Sequence, residues 1–201
     1  MSGSGPRLDP LPPEHAPELA DQFASFLKTL GFVPNSVLTM QRKPALVRAF
    51  VAMQAAIWSP DSKIDRGLKR LIAFAAGRAA RDAYSMAHTA SGALHFGIDA
   101  AKLAAVAGAH GSPQFTDAEK SALALAVAAS AVPNGVTDAM FAELRAHWSE
   151  EQVVEIVATV AMAGFLARWN GTMATPLEDE PRGVAQAHLA PHGWSAGIHG
   201  A

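Results

Sequence analysis

Two stretches, Thr116-Asp117-Ala118-Glu119 and Ser149-Glu150-Glu151-Gln152, carry the capping-box pattern. In it a hydroxyl and the acid or amide three residues later satisfy the free N–H groups at a helix start. Each announces a long apolar helix. Elsewhere Ala, Leu, Met, Glu and Lys fill the interior of the chain, and alternating Val/Ile/Thr runs bounded by hairpin turns are missing. The pattern predicts helices throughout, and the expected fold class is all-α.

The first residues, 1–13, are rich in Pro and Gly and are expected to be flexible. A helical domain is expected over 14–174. Its first helix should run from Glu14 to Leu30 and stop at Gly31, a residue suited to a helix C-terminus. A short helix should follow through Met40, then one from Pro44 to about Trp58 and one from Asp65 to near Gly77. The segment beginning at Arg81 should be helical to Phe96-Gly97, with Asp99 capping a helix to Ala109 and Thr137 capping another to Trp148. After Trp169-Asn170-Gly171 the composition turns to Pro, Gly, Glu and Ala, so 175–201 should be an arm packed on a neighbour or disordered.

The 16 basic and 18 acidic residues are mixed along the chain, so no basic face for phosphate stands out and nucleic acid is not an expected partner. The apolar stretch from Ala122 to Val132 falls short of the roughly 20 residues that span a bilayer, so no membrane partner is expected. Met1-Ser-Gly-Ser-Gly-Pro lacks the basic and apolar regions of a signal peptide, and a soluble, cytoplasmic protein is expected.

The richest chemistry lies in Arg81-Asp82-Ala83-Tyr84-Ser85-Met86-Ala87-His88, which holds the only tyrosine of the chain. If helical, Arg81, Tyr84, His88 and His95 fall at offsets 0, 3, 7 and 14 and share one stripe. Gly92, one turn beyond His88, leaves a gap through which a small ligand reaches the ring. Such a row offers Arg81 as a carboxylate anchor, His88 as an acid/base and Tyr84 as a proton donor. The same stripe also suits a helix that faces solvent or a subunit boundary. His88 and His95 are two turns, about 10 Å, apart along the axis, too far for one metal ion, and no metal is expected. His188, His192 and His199 lack a helix signal and are not read as a metal site.

Three segments together carry a resemblance: Leu30-Gly31-Phe32-Val33-Pro34-Asn35, Ile64 to Ala73 with the His88 helix, and Phe165-Leu166-Ala167-Arg168-Trp169-Asn170. In their order the chain resembles the carboxymuconolactone decarboxylase and alkylhydroperoxidase D superfamily, a helical-bundle fold. The peroxidase signature, CxxCxxxH with a glutamate one helix earlier, places Arg81 and Tyr84 at the thiol positions and Lys69 at the glutamate position. A chain without cysteine supplies no thiolate, so thiol peroxidase chemistry is excluded. The decarboxylase branch, which resembles Arg-Glu-x-Glu-x-x-x-His here, is matched in type by Arg81, Asp82 and His88 and departs at Tyr84. It works without a cofactor, and none is expected.

The resemblance implies a homo-oligomer, a dimer, trimer or hexamer, with sites near subunit boundaries. It also brings in Lys69 as an anion anchor, a desolvated base or simply a solvated lysine, and Trp169 as a pocket wall or a core residue. Catalysis is therefore assigned to His88 and Tyr84, and substrate binding to Arg81, Lys69, Asp82, His95 and Trp169. The resulting expectation is a cofactor-independent lyase or isomerase acting on a small carboxylate-bearing or enolisable substrate. It requires a dry pocket into which Arg81, Tyr84 and His88 all point. The alternative is a non-enzymatic oligomeric binding or scaffold protein, in which Arg81 or Lys69 pairs with a carboxylate that fills the old pocket.

Overall fold

In the computed structural model, which describes residues 5–200, most helices start where a side chain caps them. Asp65, Asp82, Asp99, Thr116, Thr137 and Ser149 each accept a backbone N–H of the first turn, and both capping boxes form. The described residues contain α1 (Ala20–Leu30), α2 (Asn35–Met40), α3 (Pro44–Ile57), α4 (Arg66–Ala79), α5 (Ala83–His95), α6 (Ala100–Ala105), α7 (Asp117–Ala129), α8 (Asp138–His147), α9 (Glu150–Met173) and α10 (Asp179–His188), and no strand. The fold is all-α.

Three boundaries differ from the sequence expectation. Glu14–Leu19 is not part of α1 but two 3-10 turns, Pro13–His15 and Pro17–Leu19, because Pro17 has no N–H to donate to an α-helical ladder. The Asp99-capped helix ends at Ala105 and tightens into 3-10 geometry over Val106–Gly111. Most consequential, α4 and α5 are separated at Arg81. The Asp82 N–H bonds to the Gly77 carbonyl and the Arg81 N–H to that of Arg78, each at 3.0 Å, which is a Schellman ending. Arg81 holds its left-handed position with φ of 56°, a place usually given to glycine.

The expected flexible N-terminus lies partly outside the described residues, at 1–4, and the rest is tied down. The Arg7 amide donates to the Met173 carbonyl at 2.9 Å and the Leu11 amide to that of Leu38 at 3.2 Å. Nor is 175–201 a free tail. It forms α10 and two short turns that pack on α5 of the same chain, with Leu177, Ala185 and Leu189 in the core.

The core has two parts. Helices α4, α5, α7, α8, α9 and α10 enclose the larger, around Leu71, Ile72, Leu125, Leu144 and Ile156. The N-terminal helices build the smaller around Leu19, Val37, Val47 and Phe50, joined to α9 through Met162. Many contacts of the first are alanines, which let helix axes approach; at the α4–α5 crossing a Cβ on Gly77 would lie 3.1 Å from Ser85 Cβ. Helix α9 is long and apolar enough to cross a membrane, yet Val153, Ile156, Val160 and Ala163 place it at the centre of the bundle. Leu71 is fully buried at the heart of α4. Leu71→Ala should cost about 2–5 kcal/mol in urea unfolding, and a loss near zero would show that this crossing is not tightly packed.

Candidate active site

Tyr84 and His88 are one turn apart on α5, and their rings stack with centroids 4.4 Å apart. Both reach one carboxylate from the C-terminal segment, Glu178. The Tyr84 hydroxyl donates to Glu178 Oε1 at 2.7 Å, and His88 Nε2 lies 2.7 Å from Glu178 Oε2. The Asn35 backbone N–H, in the first turn of α2, donates to Oε1 at 2.5 Å. Asn35 Nδ2 in turn donates to the Pro176 carbonyl at 2.9 Å, fixing the strand of chain that carries Glu178.

Electrostatics makes this carboxylate an acceptor. Burial alone would raise the Glu178 pKa, but the hydrogen bond and charge of His88, the Asn35 amide and the Tyr84 hydroxyl together hold it below its ordinary value. Burial and the neighbouring Glu178 charge push the Tyr84 phenol well above its ordinary value, so it stays a neutral donor. A carboxylate only accepts, which places a His88 proton on Nε2, so that in the uncharged tautomer Nδ1 is the lone-pair acceptor. Nδ1 makes no hydrogen bond among the described residues, and the His88 side chain keeps 18 % of its surface exposed. Phe32 closes one side of the ring edge-on, with centroids 5.9 Å apart. A carboxylate that orients one imidazole nitrogen while the other is left without a partner is an arrangement that can transfer protons.

The remaining expected site residues fall elsewhere. Arg81 precedes the helix, so the stripe does not extend to it, and its side chain lies on another face of the molecule, exposed. The expected pocket shared by Arg81, Tyr84 and His88 is therefore not formed. Asp82 caps α5 through the Ser85 amide at 3.0 Å and lies 3.3 Å from Nε2 of the buried His199. His95 is exposed at the far end of α5, edge-on to Phe96. Trp169 stacks on Phe165 against the N-terminal core.

Lys69 is fully buried and its ammonium pairs with Glu155 of α9 at 2.7 Å and donates to the Ile57 carbonyl at 2.5 Å. Burial alone would raise the Glu155 pKa; the bonds from Lys69, the Ser62 hydroxyl and the Lys63 amide hold it below its ordinary value.

The gap at Gly92 is filled by a residue the sequence reading passed over. A Cβ at position 92 would lie 2.8 Å from Arg70 Nε, so the Arg70 side chain crosses α5 one turn from His88. Its guanidinium lies 4.1 Å over the Trp58 ring, its buried Nε has no hydrogen-bond partner among the described residues, and burial lowers its pKa to about 10. Nothing in the sequence separates Arg70 from a solvated helix arginine. Glu178 had a signal: Glu178-Asp179-Glu180-Pro181 is an acid-rich, proline-containing helix start.

The model of the carboxymuconolactone decarboxylase family matches residues 44–128. A structure of a cysteine-to-alanine variant of the debrominase Bmp8 in complex with 2,3,4-tribromopyrrole is 33 % identical, with a TM-score of 0.84, over 92 % of this chain and 99 % of that one. The chain belongs to the carboxymuconolactone decarboxylase and alkylhydroperoxidase D-like superfamily. A peroxidase-related protein with an alkylhydroperoxidase AhpD core from Ralstonia eutropha JMP134 shares the fold at 23 % identity and a TM-score of 0.77, over 90 % of this chain and 96 % of that one. The uncharacterized protein YnjA of Escherichia coli (strain K12) is 39 % identical over 77 residues, 38 % of this chain, and the match spans 42 % of its length. Within the superfamily this member has no thiol to place at Arg81 or Tyr84.

The Glu178 contacts have a pH consequence. A carboxylate whose folded pKa is depressed stabilises the fold above its ordinary value of 4.5, and that contribution is lost as pH falls through the lower folded value. The melting temperature of the wild type should therefore fall as pH drops from 4.5 toward that lower value, and Glu178→Gln should flatten this limb. An acid limb unchanged by the substitution would mean that Glu178 is not held as described.

Proposed function

We propose that this protein is a cofactor-independent acid/base enzyme, a lyase or isomerase acting in the cytoplasm on a small carboxylate-bearing or enolisable substrate. The observation that carries the reading is the His88–Glu178 contact at 2.7 Å on an imidazole whose side chain stays partly exposed and whose Nδ1 has no hydrogen-bond partner among the described residues. In this reading Nδ1 takes a proton from a carbon beside a carbonyl or carboxylate and returns it at another carbon, while Glu178 stabilises the imidazolium formed in between.

Arg70 takes the anchoring role first expected of Arg81. It is a desolvated cation one turn from His88, 4.1 Å over the Trp58 ring and without an ion pair among the described residues, and suits a substrate carboxylate or the negative charge that develops on an enolate. Tyr84 is a positioning residue, since its single proton is already given to Glu178. Lys69, neutralised by Glu155, and Asp82, His95 and Trp169 have no part in this step.

A second reading, a non-enzymatic binding or scaffold protein, is favoured by the pairing of buried Lys69 with the partly exposed Glu155 at 2.7 Å, since a lysine so neutralised fills the family's acid position without offering chemistry. Assays on lactones, β-keto acids and small enolisable heteroaromatics separate the two. His88→Ala and Glu178→Gln should each lower kcat/KM by about 10²–10⁴-fold, with Tyr84→Phe affecting it less. Activity absent from the wild type across the panel, or equal in all variants, favours the scaffold.

Either reading includes a homo-oligomer, supported by Val154 and Val157, exposed side by side on α9 at 67 % and 43 %. Light scattering behind size exclusion should return a multiple of the 21.0 kDa chain mass, and Val154→Glu should lower it; a monomer at all concentrations removes this part of the proposal.

A further inference from the structure

Arg81, displaced from the His88 face, lines a cavity of about 330 Å³ on the other side of α5. Met86, on its wall, is two residues from both Tyr84 and His88, roughly 160–200° around the helix from either. The cavity is thus separate from the acid/base cluster. Its interior is apolar, with Phe74 and Leu103 buried and Trp194 half-buried, and its rim carries the cations Arg78 and Arg81 beside His192.

Three features define what it can hold. No Asp or Glu lines it, and neither Arg78 nor Arg81 forms an ion pair or side-chain hydrogen bond among the described residues. Both guanidiniums are therefore free to meet an anion, and Arg is the side chain best shaped to take a carboxylate with two parallel bonds. The apolar walls offer burial to a hydrocarbon or aryl body, and the volume is at the small end of ligand sites. Finally, the Trp194 indole donates to the Ala83 carbonyl at 3.1 Å, which fixes the aromatic wall against the start of α5.

We propose that this cavity is a second binding site, for a small amphipathic carboxylate whose aryl or short alkyl body lies between Phe74, Leu103 and Trp194 and whose carboxylate meets Arg78 and Arg81. The site does not depend on His88 being catalytic.

Calorimetric titration of the full chain with phenylacetate, 2-phenylethanol and inorganic phosphate tests both halves of the chemistry. Phenylacetate should bind saturably, and the uncharged alcohol and the bodiless anion should each bind about tenfold or more weakly, the cost of losing a charge-assisted bond or the apolar burial. The double variant Arg78→Gln/Arg81→Gln should weaken phenylacetate by about tenfold or more. His88→Ala should leave its affinity unchanged. Both arginines are exposed, and circular dichroism checks that the variant is folded. No saturable heat from phenylacetate, phosphate or alcohol binding as tightly as phenylacetate, unchanged affinity in the double variant, or loss of affinity in His88→Ala would each overturn the proposal.

Discussion

One buried carboxylate joins three parts of the chain that are remote in sequence. Glu178 accepts from the amide at the start of α2 and from two side chains of α5, and it stands at the first turn of α10 without capping that helix. Taking a carboxylate out of water is costly unless its oxygens are fully paired. The three donors satisfy that condition, and each is itself fixed: Asn35 by the Pro176 carbonyl, Tyr84 between the rings of His88 and His199, His88 by Phe32. The N-terminal helices, the central hairpin α4–α5 and the C-terminal segment therefore meet at a point defined by electrostatics rather than by shape.

Near that point each buried cation has its own neighbour. Lys69 of α4 meets the acid that α9 supplies as Glu155. Where the stripe was expected to carry a cation at its start, Arg70 from α4 supplies one further along, beneath Trp58.

The fold was legible in the sequence because caps are local. Asp65, Asp99, Thr116, Thr137 and Ser149 each act within three residues, and the structure uses all five. A break between Gly77 and Arg81 was legible, but not that Arg81 belongs to it: a left-handed ending carried by arginine has no glycine to announce it. That single residue removed the expected anchor from the site. Tyr84 and His88 were legible as a pair from their helical spacing, whereas Glu178, ninety positions from His88, becomes their partner only through tertiary folding. Arg70 escaped because its burial depends on a glycine facing it across two helices.

The match to the family model ends at residue 128, and Glu178 and His199 both lie beyond it. Phe32 and Asn35, ahead of the matched residues, and Tyr84 and His88, within them, form a socket that the C-terminal segment closes. Until Glu178 has docked, Tyr84 and His88 share no acceptor, so the oriented imidazole exists only once the C-terminal segment has folded back onto α5.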